Sequence, residues 1–228
     1  MKSIPHVISW NLTKACNLLC DHCYLLADNV QPIDQTDTNL SSATPSLDIP
    51  DFNQIQCGAS STADELDTDT ALKVIDQIAE LNPNLILILT GGEPLLRKDI
   101  FDLSRHAAGK GMMVLLGTNA CLIDDEMAKK LKDNGFSGIG ISLDSVHPEI
   151  HDSIRGAKGS WKKAVEGMKA CKRNGLEIQI QSTVFKRNYD EIPELVAFAN
   201  DMGARVFNLF FLVCTGRGQD ITDITSEQ

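Results

Sequence analysis

Apolar residues fall along this chain in short runs, separated by longer stretches in which they return every three or four positions. The runs at 6–12, 85–90, 112–118, 138–143, 176–184 and 205–213 predict β-strands. Helical periodicity predicts helices over 69–81, 99–110, 124–134, 160–174 and 189–202. In the first of these, Ala71, Leu72, Ile75, Ile78, Ala79 and Leu81 share one broad face, with charged residues opposite. Asp190-Glu191-Ile192-Pro193 places acidic residues and a proline in a first turn, where a missing N–H does little harm. Gly111, Gly135, Gly175 and Gly203 follow their helices as C-terminal caps do. Strands alternating with helices predict an α/β fold with a parallel sheet, and six such strands predict a (β/α)6 partial TIM barrel.

One stretch breaks the pattern. Residues 28–66 are rich in Asp, Ser, Thr, Asn and Gln, carry Pro32, Pro45 and Pro50, and hold their few apolar residues without a period. This composition predicts a flexible acidic insertion, with a lid over the site as the functional alternative. The net charge of −10 sharpens that view, because nine acidic residues and no Lys or Arg lie between Asp28 and Asp69. The rest of the 228-residue chain is therefore nearly neutral, and no part offers the basic stripe that nucleic-acid binding requires. A 43% hydrophobic content suits one sizeable globular domain over 1–228. No apolar run approaches the roughly 20 residues that span a bilayer, and the start lacks a signal-peptide core. No membrane partner and a cytoplasmic location are the resulting expectations.

The candidate chemistry begins at Cys16, Cys20 and Cys23, spaced C-x3-C-x2-C. Three thiolates would leave one iron of a [4Fe–4S] cluster open, and an open metal position is where chemistry happens. The alternatives are a zinc site or three unrelated thiols. Zinc sites usually add a second paired unit, and none follows downstream. Cys57, Cys121, Cys171 and Cys214 stand singly and read as small buried hydrophobes. Seven cysteines is an odd number and argues against a disulfide framework. After the second strand comes Thr90-Gly91-Gly92-Glu93-Pro94, after the third Thr118-Asn119-Ala120, and at the fourth Ile141-Ser142-Leu143-Asp144. All these motifs fall at C-terminal strand ends, where βα barrels build their sites. Alternation puts Ser142 and Asp144 on one face, with Ile141 and Leu143 on the other. Among the histidines His6, His22, His147 and His151, spacing singles out none; His22, inside the cysteine loop, is the best placed for a substrate or cluster role.

The cysteine motif and the GGEP motif, in this order and separation, resemble those of the radical S-adenosylmethionine (SAM) superfamily. The resemblance implies a [4Fe–4S] cluster and SAM as cofactors, and a low-potential electron donor such as a ferredoxin or flavodoxin. It also implies one-electron cleavage of SAM to methionine and a 5′-deoxyadenosyl radical. Gly91 and Gly92 would then approach the methionine moiety, Glu93 would accept from its ammonium group, and Pro94 would stiffen the turn. Tyr24 resembles the family's aromatic beside the adenine, and Ser142 and Asp144 would serve the ribose, the carboxylate or the substrate side. Arg155 would pair with the SAM carboxylate in forked geometry. Asn119 lies in Thr118-Asn119-Ala120, where many members of the family have TNG.

Two longer stretches, Pro5 to Leu18 and Phe207 to Gly218, resemble the haem-biosynthesis branch of that superfamily. The branch implies a tetrapyrrole substrate and loss of acetate side chains from 12,18-didecarboxysiroheme to give Fe-coproporphyrin III, with Arg217 and Arg155 receiving propionate or acetate groups. Two other readings stand beside it: radical modification of a ribosomal peptide, and a non-catalytic iron–sulfur or zinc module. Members of the branch continue past strand six into a sixth helix and a cysteine-rich auxiliary-cluster domain; the expectation here is a radical SAM core without that domain. A partner chain supplying that part, and association through the exposed barrel edge, are further expectations.

Overall fold

A computed structural model describes residues 6–25, 30–32, 49–57, 65–221, 223–225 and 227. Its centre is a sheet of six parallel strands. These are β1 (Val7–Asn11), β4 (Ile86–Thr90), β5 (Met113–Thr118), β6 (Phe136–Ser142), β7 (Glu177–Val184) and β8 (Val206–Phe211), side by side in chain order. Sequential order with a helix in each crossover curls the sheet into a half-barrel, the architecture expected from the alternation. All six strands lie within about two residues of their predicted bounds.

The period-two pattern explains which face each side chain takes. Along β7, Ile178, Ile180, Ser182 and Val184 are buried on the convex face, while Gln181 and Thr183 face the concave side and line a cavity there. Along β4, Leu87 and Leu89 are buried outward, while Ile88 and Thr90 line the cavity. The convex face is covered by α1 (Thr68–Leu81), α2 (Ile100–Gly109), α3 (Asp125–Asp133), α5 (Ser160–Arg173) and α6 (Ile192–Asp201), and the main core lies between these helices and the sheet. Asp67 caps α1 by accepting from Thr70 N, and Asp124 caps α3 by accepting from Met127 N.

One helix was not anticipated. Helix α4 (Pro148–Arg155) follows β6, starts with proline in its first turn and ends at Gly156 in the left-handed conformation. Within 28–66, the described residues include the antiparallel pair β2 (Val30–Pro32) and β3 (Ile55–Cys57) and a 3-10 turn at Phe52–Gln54. The rest of the expected flexible insertion lies outside the described residues. Among those described, no helix is long and apolar enough to cross a membrane.

Neither edge strand has a buried residue, and β8 exposes the larger apolar side chains. Leu209, Phe210 and Phe211 are open to solvent, Phe211 at 67%. Cys214, just beyond, is exposed as well, which corrects its reading as a buried hydrophobe; Cys121 and Cys171 are buried as expected. Among the described residues, the element that follows β8 is a short 3-10 turn at Gly216–Asp220. The side chain of Cys57 lies outside the described residues.

Candidate active site

Cys16, Cys20 and Cys23 all line one cavity of about 470 Å3 at the C-terminal end of the barrel. The loop that carries them has no regular structure, so its shape is imposed by its surroundings. Three elements hold it through backbone hydrogen bonds. From the turn after β4, Gly92 N donates to Thr13 O (2.7 Å) and Glu93 N to Ala15 O (2.7 Å). Leu19 N and Asp21 N donate to Arg155 O (3.1 Å) and Ile154 O (2.9 Å) at the C-terminus of α4. Beyond β8, Arg217 N donates to Cys23 O (3.1 Å) and its Nε to Cys20 O (2.8 Å). A side-chain tie is added by Glu65, whose Oε1 accepts from Thr13 Oγ1 (2.7 Å) and Lys14 N (3.1 Å).

This docking revises the roles expected of GGEP. Gly91 and Gly92 both line the cavity, but what demands glycine is the cysteine loop. A Cβ at Gly92 would lie 2.3 Å from Ala15 O, and one at Gly91, where φ is +141°, 2.5 Å from Thr13 O. Glu93 differs more. Its carboxylate is fully buried and turned from the cavity, accepting from Thr118 Oγ1 (2.8 and 2.9 Å), Asn119 N (3.0 Å) and Leu95 N (3.1 Å). These donors occupy both oxygens, so an ammonium group of SAM is not what the carboxylate serves. Burial pushes its pKa up to about 7, against the pull of those bonds. Pro94 begins the short 3-10 turn Pro94–Leu96 and is buried.

Asn119 and Ser142 line the cavity as expected. Asn119 Nδ2 donates to Asn17 Oδ1 (2.7 Å), so the end of β5 also reaches the cysteine loop; Asn17 was not singled out in the sequence. Ala120, in the place of the family's glycine, adopts φ +60°. Its carbonyl and Cβ would lie 2.6 and 3.2 Å from any Cβ at position 167, where α5 has glycine.

Asp144 departs from its expected place. β6 ends at Ser142, the chain turns, and the Asp144 carboxylate is fully buried beneath the cavity rather than lining it. Its Oδ2 lies 2.7 Å from Arg155 Nη2 and its Oδ1 accepts from Thr183 N (3.0 Å). Burial raises its pKa, but Arg155 foremost, then His22 and His151, outweigh that and hold it below the usual carboxylate range. Arg155 is committed likewise: Nη2 to Asp144 and Nη1 to Cys20 Sγ at 3.8 Å. The fork expected for a SAM carboxylate is therefore engaged inside the protein.

His22 lines the cavity and packs against the Phe185 ring, with centroids 5.8 Å apart. Burial lowers its pKa to about 4, so it is neutral at physiological pH. His151 is buried too, and Asp144 N donates to its Nδ1 (3.2 Å), a structural use. Tyr24 lines the cavity mouth and is 58% exposed. Arg217 also lines the cavity, but its Nε is turned to the Cys20 carbonyl, so it clasps the loop rather than reaching outward for substrate carboxylates.

The donor set fits a polynuclear cluster. Burial, then the charge of neighbouring thiolates, raises the Cys16 pKa, and burial raises that of Cys20 against the Arg155 charge. Three thiolates in such a place need a cation between them. Among the described residues no three ligating side chains are grouped as a single ion would need.

The family model of the radical SAM superfamily matches residues 10–199. The chain belongs to the radical SAM superfamily. Members of that superfamily use a [4Fe–4S] cluster and SAM, which accounts for a three-cysteine loop facing a cavity. Among curated relatives, the AdoMet-dependent heme synthase of Methanosarcina barkeri is 33% identical over 99% of this chain and 56% of its own length. The Fe-coproporphyrin III synthase of the same organism is 32% identical over 95% of this chain and 46% of its own. This radical SAM chain thus spans about half the length of these relatives. A mycofactocin maturase and a subtilosin biosynthesis protein are also among the matched relatives. In fold it resembles Streptococcus suis SuiB bound to precursor peptide SuiA, with a TM-score of 0.70 at 17% identity, over 98% of this chain and 43% of that one.

Proposed function

We propose that this chain carries the catalytic core of a radical SAM enzyme of haem biosynthesis acting on a tetrapyrrole. The observation that carries the reading is that Cys16, Cys20 and Cys23 line a single cavity together with Gly91, Gly92 and Asn119. When bound, the cluster and SAM supply one-electron cleavage of the sulfonium, giving methionine and a 5′-deoxyadenosyl radical that begins by abstracting hydrogen from the substrate.

The chain's own part is positioning and exclusion of water. Cys16, Cys20 and Cys23 would hold the cluster, and three protein thiolates rather than four would leave it able to take SAM. The backbone at Gly91 and Gly92 offers the methionine end a side-chain-free wall. Asn119 and Ser142 present polar groups to the ribose, and Tyr24 an aromatic face to the adenine. Phe210, Phe211 and Val213 give the outer cavity an apolar wall, suited to the flat hydrocarbon of a macrocycle. Relatives named AdoMet-dependent heme synthase and Fe-coproporphyrin III synthase support a tetrapyrrole substrate, and the reaction proposed on it is loss of acetate side chains from 12,18-didecarboxysiroheme. A ferredoxin or flavodoxin supplies the electron, and a reducing cytoplasm protects the cluster.

The test is anaerobic reconstitution with iron and sulfide, then incubation with SAM, reductant and didecarboxysiroheme. The expected products are 5′-deoxyadenosine, methionine and Fe-coproporphyrin III. Cleavage of SAM with the tetrapyrrole left intact would sink the substrate assignment, and no cleavage by a cluster-loaded chain would sink the reaction class.

A further inference from the structure

Arg155 lines the cavity, yet it is only 7% exposed and both terminal nitrogens are engaged. Nη1 lies 3.8 Å from Cys20 Sγ, and Nη2 lies 2.7 Å from Asp144 Oδ2. The carboxylate that grips it is itself immobile. Thr183 N donates to Asp144 Oδ1 (3.0 Å), Asp144 N donates to His151 Nδ1 (3.2 Å), and Asn188 Nδ2 donates to the Asp144 carbonyl (2.8 Å). The backbone around Cys20 is held to the same helix end, because the amides on both its flanks, at Leu19 and Asp21, donate to the carbonyls of Arg155 and Ile154. A permanent cation is thus held at a set separation from one of the three thiols.

We infer that Arg155 sets the electron affinity of the cluster through the Cys20 sulfur, with Asp144 as the positioning residue that fixes this charge and tempers it. The inference rests on the reading of the three thiols as cluster ligands. A cation or hydrogen-bond donor beside a ligating sulfur stabilises the reduced cluster, and a nearby carboxylate opposes it. Burial makes both effects larger than they would be in water. Arg155 alone would make the cluster easy to reduce and a weak reductant. Asp144 returns part of the reducing power that splitting a sulfonium demands, while holding the guanidinium in place.

The experiment compares wild-type chain with R155K, R155M and D144N, all reconstituted anaerobically without SAM. Iron is counted, and the EPR signal of the reduced cluster is titrated against ambient potential. At a fixed potential the reduced-to-oxidised ratio should fall about tenfold in R155M, equivalent to about 59 mV for one electron. It should rise by a similar factor in D144N, and R155K, which keeps the charge, should stay near wild type. Opposite signs are the signature, because a merely structural role moves neither in that way. Shifts of the same sign, shifts under about twofold in both, or R155K moving as far as R155M overturn the inference. If one of R155M and D144N fails to load four irons, the sign of the other decides; if both fail, the pair serves loop folding and the inference is overturned. A wild-type chain that takes up no cluster fails the reading of the three thiols. A loaded wild type with unshifted variants fails the inference alone.

Discussion

Two fully buried carboxylates flank the cysteine loop, and they are kept in different ways. Glu93, after β4, faces a hydroxyl and two backbone amides, and burial leaves its pKa near 7. Asp144, after β6, faces a guanidinium and stays ionised. Hydrogen bonds from neutral donors do not fully replace the water a carboxylate loses, whereas a fixed cation does. One side of the loop therefore carries a charge that pH can remove near neutrality, and the other a charge held to below the usual carboxylate range.

The harshest way to break this contrast is D144N, which leaves Arg155 buried without a counter-charge. We expect a loss of about 3–5 kcal/mol, read from urea unfolding at pH 7. A loss under about 1 kcal/mol would mean that the ion pair is not what holds α4 to the sheet.

Next is the pH dependence of Glu93. Between about 4.5, its ordinary value, and about 7, the native carboxyl keeps a proton that the unfolded chain releases. Stability from this group therefore falls as pH rises through that window, by about 3 kcal/mol in total. Asp144 has the opposite sign, its contribution being present at neutral pH and lost only as acid protonates it. E93Q should flatten the stability–pH curve over 4.5–7, although it leaves one amide facing another donor. Parallel curves for variant and wild type would refute the assignment.

A smaller change is T118V, which removes the hydroxyl that donates to both Glu93 oxygens. It should cost about 1–3 kcal/mol in thermal or urea unfolding and carry the Glu93 limb to higher pH. The smallest is A120G, at the left-handed residue just past those donors. Relief of φ +60° should gain about 0.5 kcal/mol, a rise in Tm of about 1–2 °C by calorimetry. A fall in Tm would mean that the Ala120 methyl packs against α5 more usefully than its backbone is strained.

The strands were legible because each is an apolar run, and in β4 and β7 alternate residues are buried behind it. Helix α4 was not, because its buried positions are His151, Asp152, Ile154 and Arg155, three of them polar. Hydrophobic periodicity reads such a face as solvent, and only Pro148 and Gly156 marked its ends. In the site, cysteine count and spacing carried their own message, and the cavity lining includes all three. The glycines of GGEP announced a close approach but not to what, since a ligand and a neighbouring loop ask for the same missing side chain. The pairing of Asp144 with Arg155 depends on the turn after Ser142, which alternation along a strand does not foresee.

The cysteine loop is pinned by main-chain hydrogen bonds from three separate elements. Most of the entropy of ordering it is therefore lost when the barrel folds, and little remains to be lost when metal arrives. Iron uptake becomes the filling of a ready mould, fast and nearly silent to the rest of the chain. The amides of Leu19, Asp21, Gly92 and Glu93 should already exchange slowly with deuterium before any metal is added.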